Sequence, residues 1–239
     1  MAEWFETWFD ETYLALYPQR DEEEAEHAAE LIERLVGHRR VDRVLDLACG
    51  AGRHSRALAE RWWTAGLDLS EVLLAVARQA DAATPLVRGD MRVLPFADAT
   101  FGLVVNLFTS FGYFDSDGEH SDLIREVGRV TASGGTFVLD YLNADLLSRE
   151  LIPYDESTSD KRVIVQRRSI SEDGLYVTKR ISIKGEEREF VERVRLFSRA
   201  ELQGMMTDAG FDVTSVIGNY DGSQAGDDSP RMILVGTRR

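Results

Sequence analysis

Three acids and two glycines stand where this sequence can do chemistry. Asp46, Gly50 and Gly52 fall in the run RVLDLACGAGRHSRALA (residues 43–59) as D-x-x-x-G-x-G. Asp68 follows the second glycine by sixteen residues, and Asp90 sits in Gly89-Asp90-Met91. Glycine lets backbone bend tightly and lie against a ligand whose space a Cβ would take. A helix starting just beyond the loop turns its unpaired N–H groups and partial positive charge toward whatever the loop holds. A nucleotide-like ligand is the chemistry these features fit. A dinucleotide fingerprint needs a third Gly or Ala, and that slot is Ser55. An acid ending the second strand of an α/β nucleotide fold accepts both ribose hydroxyls, which is the place of Asp68. A ligand-free strand-to-helix turn and plain loop capping remain the alternatives.

These residues need elements to position them. Val44, Leu45 and Leu47 read as a buried strand, residues 48–53 as the loop and 55–60 as the opening of a helix. Residues 65–67 make a second strand, after which Ser70 caps a helix burying Val72, Leu73, Val76 and Ala77. Strands follow at 85–88, 103–107 and 136–140, the last after a helix over 119–130 and a reversal at Ser133-Gly134-Gly135. Strand and helix alternating five times demand a parallel sheet with right-handed crossovers. The fourth and fifth strand ends carry Phe108, Phe111, Tyr113 and Phe114, then Asp140, Tyr141 and Asn143, a mouth whose ring faces suit a flat or cationic substrate. RVIVQRRSI, LYVTKRISI and REFVERVRLF then read as three hairpin-linked strands. Ser198 and Glu201 form the capping box of a helix burying Leu202, Met205, Met206 and Ala209, and two strands at 212–217 and 232–237 finish the chain. At the start, Trp4, Phe5, Trp8, Phe9, Tyr13 and Tyr17 make one aromatic helical face stopped by Pro18. A second helix, capped by Asp21 and acidic in its first turn, buries Ala25, Ala28, Ala29, Ile32, Leu35 and Val36 and ends at Gly37.

The D-x-x-x-G-x-G loop, the Gly-Asp-Met after the third strand, the turn Asp98-Ala99-Thr100-Phe101-Gly102 and the Ser-Gly-Gly before the fifth strand resemble class I S-adenosylmethionine-dependent methyltransferases. Gly102 departs from the Asp usual in that turn. The resemblance runs over residues 41–239 by element order. It implies an α/β, Rossmann-like, doubly wound seven-stranded sheet, mostly parallel with an antiparallel last strand. It also implies an antiparallel β insertion at 151–196 after strand five, which roofs the substrate site or pairs subunits, and an N-terminal helical lid at 1–37. Residues 38–150 and 197–239 then bind S-adenosylmethionine, released as S-adenosylhomocysteine. The implied cofactor contacts are Asp46, Ala48, Gly50, Gly52, Asp68, Leu69, Asp90, Met91 and Leu107. Asp90 would accept from the adenine amino group and Met91 would pack on the ring. Tyr13, Tyr17 and Arg20 of the lid would touch the ligand, with Arg20 facing its carboxylate. A sulfonium methyl is already activated, so alignment and water exclusion carry the reaction and no obligatory acid or base is needed. His54, Tyr113 and Tyr141 are the candidates for any catalytic part. His54 reads as a packing or capping residue or as a base for the acceptor.

Composition narrows the classes. A net charge of -14 opposes nucleic acid as partner, although residues 161–199 hold eleven Lys or Arg against six Asp or Glu. That basic stretch reads as solvated edge-strand faces or as a surface for an anionic substrate or second subunit, so a homodimer is an expectation. One cysteine, Cys49, fits a reducing compartment. No signal peptide or membrane-length apolar run is visible, so a cytoplasmic protein with a small-molecule substrate is expected. His27, His38, His54 and His120 lack metal-ligand spacing. A non-catalytic ligand-binding or assembly protein that keeps the fold is the second reading. A nicotinamide-dependent oxidoreductase is disfavoured by Ser55 and by the antiparallel ending.

Overall fold

The computed structural model describes residues 3–16, 22–37, 41–159 and 162–239. Three helices come first: α1 (Trp4–Trp8), α2 (Glu11–Leu16) and α3 (Glu22–Val36). The strand–helix alternation then runs β1 (Val44–Leu47), α4 (Arg53–Ala59), β2 (Thr64–Asp68), α5 (Glu71–Ala80), β3 (Leu86–Arg88), β4 (Phe101–Asn106), α6 (Asp117–Val130), β5 (Thr131–Leu142) and α7 (Ala144–Glu150). A second sheet follows as β6 (Tyr154–Ser159), β7 (Arg162–Ile170), β8 (Tyr176–Ile183) and β9 (Glu189–Arg195). The chain ends with α8 (Arg199–Asp208), β10 (Phe211–Ile217) and β11 (Arg231–Arg238).

The main sheet has seven strands in the order β10-β11-β5-β4-β1-β2-β3, and β11 is antiparallel to both of its neighbours. The central strands β1, β4 and β5 are near-continuous apolar runs because helices cover both faces. Val104, Phe137 and Leu139 face α6 and α8, while Leu103, Val105 and Val138 face α3 and α4. From β1 the chain winds through β2 and β3 to one side, then returns to lay β4 on the other. That reversal opens a crevice at the carboxyl ends of β1 and β4. No helix among the described residues is long and apolar enough to cross a membrane.

The structure corrects the expected elements in several places. The aromatic segment is two short helices, because the Asp10 carboxylate takes the N–H groups of Thr12 (2.8 Å) and Tyr13 (3.2 Å) and starts a new helix there. β5 begins at Thr131, so Ser133-Gly134-Gly135 lies in its irregular first part, where the register with β4 shifts. The insertion has four strands, since YDESTS pairs along β7 without any apolar alternation to announce it. α7, capped by Asn143, also has no clear sequence pattern. Leu35, Val72, Val76 and Met205 are half-buried where full burial was expected. Tyr17, Pro18, Arg20, Asp21 and His38 lie outside the described residues.

α6 meets the α8–β10 turn at Gly128, where an added Cβ would come 2.6 Å from the Ala209 carbonyl oxygen. That obstacle is backbone and cannot step aside. Gly128→Ala is expected to cost about 1–3 kcal/mol through overpacking, read as a lower urea midpoint with an unchanged slope.

Candidate functional site

The loop from β1 into α4 forms the floor of the crevice. Ala48, Gly50 and Gly52 all adopt left-handed backbone, with φ of 60, 55 and 78°. Gly52 starts α4, and a Cβ there would sit 3.0 Å from that of Ala77, so this glycine serves the close approach of α4 to α5. Gly50 points its N–H at Asp68 Oδ2, 2.8 Å away. The other carboxylate oxygen takes the N–H of Ser70 at 2.8 Å. Asp68 thus ties the floor loop to the exit of β2, and it is 9% exposed at the wall of the crevice. Burial raises its carboxyl, against the pull of those backbone bonds.

Asp90 stands one strand further out, after β3. Burial alone would raise its carboxyl, but side-chain and backbone bonds from Arg92 outweigh it, and the group sits below the usual carboxylate range. Leu69, Met91, Leu107 and Ala48 also line the crevice. Its roof is the N-terminal segment, with Phe5, Phe9, Tyr13 and Leu14 facing inward. Trp4 Nε1 donates to the Tyr113 carbonyl (3.3 Å) and Ser70 Oγ to that of Phe9 (2.6 Å), which holds the roof down. Among the described residues none from the insertion lines the crevice. Its apolar face instead buttresses the roof, Trp8 packing on Phe190 with ring centroids 4.3 Å apart and sharing a cluster with Ile181 and Ile183.

Six residues expected at the site or its mouth lie elsewhere, Phe111 and Asp140 among them, both 0% exposed and off the crevice lining. Asp46 is 1% exposed beneath the floor, takes a hydrogen bond from Ser55 Oγ at 2.6 Å and so pins α4 to β1. Gly52 packs helices, as above. Tyr141 is buried in the core with its hydroxyl donating to the Arg195 carbonyl. Asn143 caps α7 and donates to the Ser229 carbonyl at 2.9 Å. By contrast His54 and Tyr113 do line the crevice.

Asp46 makes a pH prediction. Burial pushes its carboxyl up to about 6 from an ordinary 3.8, in spite of Ser55. The folded chain therefore holds that proton more tightly than the unfolded one. The associated stability is complete below pH 3.8 and is lost as the pH rises through 6. Asp46→Asn keeps the shape without the charge, and at pH 7 it should gain about 3 kcal/mol over the parent, a gain that disappears by pH 4. Urea midpoints for the two proteins across that range are the check.

Sequence reasoning missed the supports of the far wall. Phe108 and Thr109 both have φ of 58°, a conformation that side chains other than Gly rarely adopt. Buried Asp140 accounts for it, accepting from Phe108 N (2.8 Å), Tyr220 Oη (2.6 Å) and Arg231 Nη1 (3.0 Å), while its own carbonyl takes Thr109 N (3.1 Å). The Phe108 ring lies between two guanidiniums, Arg53 at 4.4 Å and Arg231 at 4.8 Å. Both arginines also bond Glu24 of α3. Tyr220 and Arg231 come from the loop before β11 and from its start, and no spacing announces that meeting. His120 supports the aromatic turn, its Nε2 accepting Phe114 N–H at 3.3 Å.

Residues 44–135 match the methyltransferase-domain family. The chain is similar to malonyl-[acyl-carrier protein] O-methyltransferase of Erwinia pyrifoliae, 37% identical over 123 residues, which are 46% of this chain and 42% of that protein. The chain spans about half the length of the curated relatives it matches first. A solved S-adenosylmethionine-dependent methyltransferase from Clostridium acetobutylicum has the same fold, with a TM-score of 0.82 at 17% identity over 95% of this chain and 96% of that one. CalS10, an amino pentose methyltransferase from Micromonospora echinaspora solved with S-adenosylmethionine bound, aligns at 26% identity and a TM-score of 0.74 over 96 and 97%.

Proposed function

We propose that this chain, which belongs to the class I S-adenosylmethionine-dependent methyltransferases, carries a methyl group from S-adenosylmethionine to a small-molecule acceptor that presents an amine. The observation that carries the reading is the pair of carboxylates, Asp68 and Asp90, at the ends of adjacent strands beside a floor of left-handed backbone. Their chemistry suits the cofactor: a sugar diol and an exocyclic amine are both donors, and two carboxylates accept them. Asp68 would hold the ribose hydroxyls and Asp90 the adenine amine, with Met91 and Leu69 against the ring. Ala48, Gly50 and Leu107 would border the aminoacyl part, with Tyr17 proposed as a ligand contact and Arg20 as the partner of its carboxylate. When bound, S-adenosylmethionine supplies a sulfonium-activated methyl.

The chain's own task is then alignment and dryness. Phe5, Phe9 and Tyr13 keep water from the crevice, and Tyr113 offers aromatic surface to a cationic amine. His54, facing the same space, takes the proton that an ammonium must lose before its nitrogen can attack. The similarity to an amino pentose methyltransferase supports this choice of acceptor. The reading divides the chain into a lid (1–37), a cofactor domain (38–150 and 197–239) and a buttressing insertion (151–196). It places the protein in the cytoplasm away from nucleic acid and membrane, with the insertion also pairing subunits, which light scattering tests.

Calorimetry is expected to show saturable binding of S-adenosylhomocysteine and none of NAD; the reverse pattern overturns the reading. With labelled donor and an amine acceptor identified from a metabolite extract, His54→Ala should lower kcat about 100-fold near pH 7 and far less above pH 9, where the amine loses its own proton. A pH profile identical to the parent's removes His54 as base.

A further inference from the structure

We propose that Arg92 is a positioning residue that latches the N-terminal lid to the acid at the adenine end of the crevice, so that lid closure and cofactor recognition are one event. The proposal rests on the methyltransferase reading above. Arg92 follows Met91 directly, and its planar guanidinium offers five N–H donors. Nε and Nη2 reach Asp90 Oδ2 at 3.0 and 2.7 Å. Nη1 and Nη2 reach the two carboxylate oxygens of Glu3 at 3.2 and 2.8 Å. Nη1 also reaches Glu119 at 2.7 Å. The guanidinium carbon lies 4.7 Å from the centre of the Phe114 ring and 5.8 Å from that of Phe5.

One cation therefore satisfies three carboxylates from three parts of the fold: the exit of β3, the N-cap of α1 and the first turn of α6. Remove it and three negative charges face one another in a half-buried spot, a repulsion that the Glu3 carboxylate at the start of the five-residue α1 relieves by swinging away. Glu3 begins the helix that carries Phe5 and leads to Phe9, so its anchoring decides whether those rings cover the crevice. At the same time the arginine fixes the orientation of Asp90. Each Asp90 oxygen takes two bonds from Arg92, Oδ1 from the backbone N–H at 2.8 Å and from Nε at 3.1 Å, and Oδ2 from Nε and Nη2. Residues 3–16 also tie to Tyr113, Ser70, Glu192 and Arg188, and Ser70 in turn donates its N–H to Asp68. The Arg92 tie joins the roof to the acid proposed for the adenine end.

The test is calorimetry with S-adenosylhomocysteine on the parent, Glu3→Gln, Arg92→Lys and the double variant, with hydrogen exchange over residues 3–16. In the parent the compound should bind and slow exchange across that segment. Glu3→Gln, isosteric and outside the crevice lining, should bind about tenfold more weakly with an unchanged melting temperature and lose the lid protection at saturating compound. A lysine cannot span three carboxylates, so Arg92→Lys should weaken binding at least as much, and the double variant should be no weaker than Arg92→Lys alone. Parent-like binding and protection in Glu3→Gln overturn the latch. So does a double variant whose loss is the product of the two single losses, since that means independent roles. A parent chain that does not bind S-adenosylhomocysteine is a separate result that overturns the methyltransferase reading and the latch with it.

Discussion

Asp68→Asn is expected to weaken S-adenosylhomocysteine binding by about 100-fold, the largest single loss from any residue of the crevice. The carboxylate has two tasks that one amide cannot share. It accepts Gly50 N–H on Oδ2 and Ser70 N–H on Oδ1, which sets the floor loop against the end of β2. Its remaining lone pairs are the acceptors proposed for the ribose hydroxyls. In asparagine one oxygen becomes an NH2, so a donor faces a backbone donor and one N–H loses its partner, at a cost of about 1–3 kcal/mol. The floor loop then shifts and one hydroxyl acceptor is gone. Calorimetry gives the affinity, and urea unfolding shows how much of the change is local stability. Binding within threefold of the parent would remove Asp68 from the cofactor site.

Asp140→Ala is expected to destabilise the fold by about 3–5 kcal/mol, more than any other change to this wall. Asp140 is 0% exposed and takes hydrogen bonds from Arg231, Tyr220 and the Phe108 backbone. The Arg231 side chain, 16% exposed, would be left with Glu24 at 3.0 Å as its remaining carboxylate. The left-handed backbone at Phe108 and Thr109 would lose the bond that holds it, and each such residue stores about 1–2 kcal/mol of strain ready to relax. Relaxation takes the Phe108 ring from between Arg53 and Arg231 and spoils the wall of the crevice. Turnover should therefore fall even below the unfolding temperature. A stability loss under 1 kcal/mol would show that the network is incidental.

The main sheet was legible because its central strands, β1, β4 and the second half of β5, are apolar runs. That local pattern survives whatever the rest of the chain does. The floor loop, Asp68 and Asp90 were legible for a related reason: ligand groups in such a sheet come from strand ends, and strand ends are marked in sequence. β6 escaped because an edge strand of a solvated sheet needs no apolar face, and YDESTS has none. The break between α1 and α2 escaped because aromatic periodicity continues across it while a single acid, Asp10, recaps the chain.

By itself, then, the sequence determined the order of elements in the main sheet, its direction, the crevice and two of its acids, all of which follow from short-range pattern and from the handedness of crossovers. Only the tertiary structure decided which motif residues face the crevice and which stand behind it. Asp46 lies inside the apolar run of β1 and Asp68 ends that of β2, yet one sits under the floor on Ser55 and the other holds the floor from the side. The structure alone also brought Glu3 to Arg92 and Tyr220 to Asp140, across 89 and 80 positions of chain. Polar side chains carry no periodic signature of their partners. A buried charge is settled by whichever opposite group the packed elements deliver, and that is known only once they have packed.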